Sequence, residues 1–274
     1  MPETNKMTNF INNTHREVIK ATMKSRGYNK EEILNAVCII EELEKRNVKN
    51  YDKFRNYLFG KICEKAAFRD TLTEGKVALI FAYNGFNVTY LGHQKGPDLL
   101  VEGFGHRFYV EVKRYRKDIT TERKLSQYSN KGKLIEYGRG ADGAQKDYNI
   151  LCRDILEKTK QLPKDQIGIV FIWSEDDKIG KGDFRTCINM ISDESLKYKY
   201  ERQYKHVTIH HIGSRERLTI EEKQQSKNLS GILFYSKEKV GPDFWFFLNL
   251  KAQNLISRDL AERLKKLQKP KEFF

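Results

Sequence analysis

The chain has 274 residues, 39% of them hydrophobic and 12% aromatic, enough to bury one large core or two smaller ones and too apolar for a disordered polymer. Its formal net charge of +14 favours a polyanionic partner, nucleic acid first and an anionic membrane surface second. No run approaches the roughly 18 apolar residues of a membrane span, and residues 1–18 carry no apolar stretch of the secretory-signal kind.

In chain order, residues 1–70 read as a helical region. Asn29 and Glu32 have the spacing of a capping box ahead of Ile33, Leu34, Val37, Cys38, Ile40 and Leu43, which recur at helical period. After Asp52, one stripe takes in Phe54, Leu58, Ile62 and Ala66. TLTEGKVALIFAYNG (71–85) reads as a mostly buried helix, with Thr71 and Glu74 spaced as a capping box at its start. FNVTYL (86–91), DLLVE (98–102) and RFYVEVK (107–113) read as strands, the last two joined by a turn over Gly103, Phe104, Gly105 and His106.

Residues 114–144 are polar, basic and glycine-rich and read as a loop. Residues 147–162 form an amphipathic helix with Ile150, Leu151, Ile155, Leu156 and Thr159 on one face. IGIVFIW (167–173) is the continuous apolar run of a strand covered on both sides. Residues 174–230 are charged and read as an insertion with one strand, HVTIHHI (206–212), and a solvated segment at 224–227. GILFYS (231–236) and DFWFFLNL (243–250) read as late strands, and 254–267 closes the chain as a helix on Ile256, Leu260 and Leu264. The order of elements predicts an α/β fold, a mixed sheet flanked by helices, with a helical region at 1–70 and the main domain at 71–274.

Cys38, Cys63, Cys152 and Cys187 form no C-x-x-C pair, so they read as buried, reduced thiols of an intracellular, cytoplasmic protein. His206, His210 and His211 have no second ligand pair and read as a polar strand.

The chemistry concentrates in KGPDLLVEGFGHRFYVEVKRYR (95–116). Alternate side chains of a strand share a face, so Glu111 and Lys113 point the same way with Val112 opposite. A hairpin folded at Gly103–His106 would return Glu111 and Lys113 to the sheet edge where Asp98 begins the first strand. Two converging carboxylates repel one another unless a hard divalent cation takes their oxygens. A lysine beside them can stabilise developing charge, and Arg114, Arg116 and Lys117 suit a phosphate backbone. Between residues 114 and 139 eight Lys and Arg stand against three Asp and Glu, interleaved with Tyr115, Tyr128 and Tyr137, a composition suited to nucleic acid. Gly-Pro-Asp recurs at 241–243, but no turn and no Glu-x-Lys follow it there, so the second copy reads as a turn feeding an apolar strand.

Pro97-Asp98, twelve intervening residues and Glu111-Val112-Lys113, set in a helix, a three-stranded meander, a helix and a strand, closely resemble the PD-(D/E)xK nuclease superfamily, the restriction-endonuclease-like fold. The resemblance covers about residues 71–173. It implies a magnesium-dependent hydrolysis of DNA phosphodiesters, with manganese as a substitute metal. Asp98 and Glu111 would bind the metal, the Val112 carbonyl would add a ligand, and Lys113 would assist the attacking water. Glu74 is the acid that many members contribute from the helix before the meander. Gln145 and Tyr148 lie one residue closer than the Gln-x-x-x-Tyr spacing of the exonuclease-like branch. Restriction-type cleavage is the first expectation, with a repair or junction-resolving nuclease, or a non-catalytic nucleic-acid-binding protein, as alternatives. Pairing of two copies as a homodimer would give double-strand cuts.

Overall fold

The computed structural model describes residues 16–92, 96–115, 151–175, 181–192, 198–204, 207–213, 218–235 and 244–270. The basic loop, including Arg116, Lys117, Tyr128, Tyr137, Gln145 and Tyr148, lies outside them, as does the second Gly-Pro-Asp. The protein is α/β, with a six-stranded mixed sheet in the order β1-β2-β3-β4-β7-β8 and a separate two-stranded sheet, β5-β6. The strands are β1 (Asn87–Tyr90), β2 (Leu99–Gly103), β3 (His106–Tyr115), β4 (Ile167–Ser174), β5 (Tyr198–Tyr204), β6 (Val207–Gly213), β7 (Gly231–Tyr235) and β8 (Phe244–Leu248). The chain divides into two compact units, Met1–Arg107 with Leu267–Phe274, and Phe108–Lys266.

The first unit holds α1 (residues 16–25), α2 (Lys30–Lys45), α3 (Tyr51–Gly60), α4 (Lys65–Tyr83), β1 and β2. The Asn29–Glu32 capping box forms as expected: Asn29 Oδ1 accepts from the Glu32 amide at 2.8 Å, and Glu32 Oε2 accepts from the Asn29 amide at 3.0 Å. The buried face of α2 is Ala36, Val37, Ile39, Ile40 and Leu43, so the stripe is rotated away from Leu34, which is 42% exposed. The stripe Phe54–Leu58–Ile62–Ala66 is broken: α3 ends at Gly60, Ile62 sits buried in the turn, and Ala66 lies in the first turn of a new helix with its side chain exposed.

α4 corrects a second expectation. It runs across residue 70, and Glu64 is its N-cap, so Thr71 and Glu74 lie in the helix interior and form no capping box. Thr73 instead donates from Oγ1 to the Arg69 carbonyl at 2.8 Å, one turn back. Gly75 lets α3 approach: a Cβ there would stand 2.5 Å from Phe54 Cζ and 3.0 Å from Ile39 Cγ2.

β1 pairs antiparallel with β2, Tyr90 opposite Leu99 and Asn87 opposite Glu102. On its other side the backbone is met by Lys49. Lys49 donates its amide to the Val88 carbonyl and accepts from the Tyr90 amide, both at 2.9 Å, between Asn47 and Asn50 at positive φ. Asn50 Nδ2 donates to the Tyr90 carbonyl at 3.0 Å, and Lys53 Nζ to that of Leu91. β2 ends in a two-residue turn, Phe104-Gly105, with φ of 53° and 78°. Positive φ at both central residues is the type I′ pattern, whose twist matches a hairpin. Phe104 occupies a strained position for a non-glycine residue, and its ring packs edge-on against Phe86 at 5.1 Å.

The second unit is built on parallel strands. β3 runs parallel to β4, with Glu111 opposite Val170 and Lys113 opposite Ile172, and β4 runs parallel to β7. A parallel pair needs a crossover, and α5 (residues 151–159) lies in it. β4 is buried from Gly168 to Ser174, as its unbroken apolar run predicts. A core on one side gathers Leu151, Cys152, Ile155 and Leu156 of α5 with Val170, Ile172, Phe184, Ile188, Ile232 and Phe234. Three elements inside 174–230 differ from the sequence expectation: α6 (Lys181–Ser192), β5, which pairs antiparallel with the expected strand β6, and a short helix in place of the solvated segment. The segment at 224–227 belongs mainly to α7 (Ile220–Ser226), capped reciprocally by Thr219 and Glu222. The closing helix α8 (Arg258–Lys265) is shorter than expected and is capped by Ser257, leaving Ile256 before it, while Leu260 and Leu264 are buried as expected.

Cys152 and Cys187 are buried, Cys38 is half-buried and Cys63 is exposed, so the expectation of buried thiols fails at Cys63; none of the four is in a disulfide. No helix among the described residues is long and apolar enough to cross a membrane.

Candidate active site

Each unit holds part of the predicted constellation. In the first, Asp98 precedes β2 and is 2% exposed, and Glu74, on α4, is 6% exposed. Tyr90, at the end of β1, donates its phenol to Glu74 Oε2 at 2.9 Å. Burial pushes the Tyr90 phenol well above its ordinary value, and the carboxylates of Glu74 and Asp98 push it further, because an anionic phenolate would sit beside two negative charges. Tyr57, on α3, is raised in the same order by burial, Glu74 and Asp98. Glu74 and Asp98 thus act on the same two tyrosines, Tyr57 and Tyr90, neither of which belongs to the sequence motif.

In the second unit the strand periodicity is obeyed. Tyr109, Glu111, Lys113 and Tyr115 turn to the α5 side of the sheet; Tyr109 and Tyr115 pack on the core there. Glu111 is fully buried, and Lys158 donates to its Oε1 at 2.5 Å. Lys113, 30% exposed at its side chain, places Nζ 3.4 Å from Asp154 Oδ2 and 5.5 Å from the Tyr115 ring centroid. The pairing is crossed because α5 returns antiparallel to β3. One helical turn rises about 6 Å over four residues and two strand residues rise about 6.6 Å, so Asp154 and Lys158 match Lys113 and Glu111 in reverse order. Burial and then the Asp154 carboxylate raise the Tyr115 phenol. The Val112 side chain is buried and apolar, so it offers no ligand atom.

Arg114 is used locally. Its side chain is 7% exposed and donates from Nη2 to Glu175 Oε2 at 2.6 Å, just beyond β4. Arg116 and Lys117 lie outside the described residues. Among the described residues no group of three or more His, Cys, Asp and Glu side chains is gathered as a ready metal cage. Asp154 and Lys158 stand four apart on the polar side of α5, whose expected inner residues Leu151, Ile155, Leu156 and Thr159 are buried; Ile150 lies outside the described residues. Their meaning depends on the crossover.

No protein-family model, curated protein or solved structure matches this chain.

Proposed function

We propose that the protein is a magnesium-dependent nuclease that hydrolyses DNA phosphodiester bonds, on a restriction-endonuclease-like fold. The observation that carries the reading is the burial of Asp98 and Glu111, 2% and 0% exposed, at the two acid positions of the sequence motif. Withdrawing carboxylates from water is costly, and folds keep such groups where a cation or hydrogen bonds compensate them. Asp98 precedes β2, Glu111 lies in β3, and these strands are neighbours in the sheet order. The succession α4, β1, β2, β3, α5, β4 agrees with the order the resemblance requires.

The donors are all oxygen, which suits a hard cation such as magnesium or manganese. Asp98, Glu111 and the Val112 carbonyl would hold the ion. When bound, such an ion lowers the pKa of a coordinated water and offsets charge on phosphoryl oxygens. Lys113 reaches partial solvent exposure while Asp154 steadies it, which suits an ammonium that orients a water and neutralises charge as it develops. Glu74, whose Oε2 accepts from Tyr90, would be the further acid contributed to the metal from α4. Arg116, Lys117 and the basic loop would contact the phosphate backbone, DNA is the partner, and a homodimer would make double-strand cuts. Restriction-type cleavage is the preferred role, ahead of repair or junction resolution.

One observation favours a second reading. The crossed pairs Glu111–Lys158 and Lys113–Asp154 also satisfy a purely structural account, that of a nucleic-acid-binding protein that does not cut. Incubating plasmid with magnesium or manganese separates the two. Nicking that EDTA stops, and that Asp98→Ala and Lys113→Ala each reduce by about 100-fold or more, is expected. Binding without nicking, or wild-type rates in either variant, would sink the nuclease.

A further inference from the structure

Glu111, Lys113, Asp154 and Lys158 are two carboxylates and two ammonium groups whose formal charges sum to zero. The innermost pair is lopsided: the Glu111 side chain is 1% exposed and that of Lys158 is 25% exposed. A buried carboxylate has therefore been given its counter-charge by a residue that can still reach water. We propose that Lys158 is a built-in counter-cation that competes with the divalent ion for Glu111, a positioning residue that sets how much metal the site requires; this rests on the nuclease reading above.

The physics is that of like charges in a poor dielectric. A divalent ion arriving at Glu111 meets an ammonium already in contact with Oε1, and their repulsion is weakly screened where water is scarce. Either the ion binds weakly or Lys158 withdraws. Its four-carbon stem and partial exposure permit withdrawal, whereas Glu111, on a central strand, stays in place. Neutralising Lys158 leaves the four residues with one net negative charge, which attracts the ion instead. Asp154 keeps Lys113 occupied, so Lys113 is not free to replace Lys158 at Glu111.

The test is calorimetric titration of the full chain with manganese, in the wild type, Lys158→Met, Lys158→Arg, Glu111→Gln and the double variant of Lys158→Met with Glu111→Gln. Lys158→Met should bind manganese about tenfold more tightly, because the like-charge repulsion at a buried carboxylate is removed. Lys158→Arg should return affinity to the wild-type value, and both variants lacking the Glu111 carboxylate should lose the effect. Should Lys158→Met be unfolded without metal, circular dichroism is followed as manganese is added. Recovery at concentrations that leave the double variant unaffected supports the proposal, and no recovery overturns it. Unchanged or weaker binding in Lys158→Met, while wild-type binding needs Glu111, overturns the counter-cation role and spares the metal site. Absence of binding in both the wild type and Lys158→Met overturns both readings.

Discussion

Tyr90 ties a strand end to a helix through one hydrogen bond whose acceptor, Glu74, is buried. Tyr90→Phe removes the donor and keeps the ring, so it leaves a buried carboxylate oxygen short of a partner at a cost of about 1–3 kcal/mol. The pH dependence has a definite sign. The folded phenol is held above the ordinary value of 10, so below pH 10 both folded and unfolded forms keep the proton and stability is fully present. As pH rises past 10 the unfolded phenol ionises first, the unfolded state then binds fewer protons, and stability falls. Urea unfolding should show Tyr90→Phe less stable at neutral pH and with a shallower alkaline decline than the wild type. Equal stability at pH 7 would mean that this hydrogen bond contributes nothing.

At the scale of elements, close packing of α2, α3 and α4 depends on Gly75 lacking a side chain. Gly75→Ala gains helix propensity of nearly 1 kcal/mol, but its methyl would meet Phe54 and Ile39 at distances no relaxed core tolerates. Overpacking of about 1–3 kcal/mol should win, seen as a lower urea midpoint in circular dichroism. A midpoint raised above the wild type would show that Phe54 can move aside cheaply.

The same scale separates what the sequence made legible from what it concealed. The β2–β3 hairpin, buried β4, the α2 cap and strands β6 to β8 rest on local signals, alternation, an apolar run or a cap, and those signals decide the local structure. The start of α4 was misread because Thr71 and Glu74 imitate a capping box while Glu64, the residue that caps, makes no side-chain bond to the helix. α6 and β5 were missed because charged residues mask their periodicity. Within the candidate site, Asp98, Glu111 and Lys113 were readable from spacing along two strands. Asp154, Lys158, Tyr57 and Tyr90 were not, since each matters through a neighbour distant in sequence.

For the whole molecule, the net charge of +14 is the property that most constrains its partner. If DNA is that partner, each phosphate contact releases a counterion, and the logarithm of affinity falls with the logarithm of salt by about 0.9 per contact. Five or so contacts, fewer than the eight basic residues of 114–139 supply, give a slope of roughly −4 or steeper. Fluorescence anisotropy of a labelled duplex between low and physiological salt measures it. A slope near zero would remove nucleic acid as the partner.

The residue Lys49 has a consequence for association. An edge strand is dangerous when its outward amides and carbonyls remain available, because a foreign strand can zip onto them. Along β1 the Val88 carbonyl and the Tyr90 amide are already bonded to the backbone of Lys49 and the Tyr90 carbonyl to the side chain of Asn50, and just beyond the strand Lys53 takes the Leu91 carbonyl. Three residues of the chain's own α2–α3 segment therefore act as a stopper. A peptide seeking to extend the sheet at β1 would have to displace these bonds first, and so would a second copy.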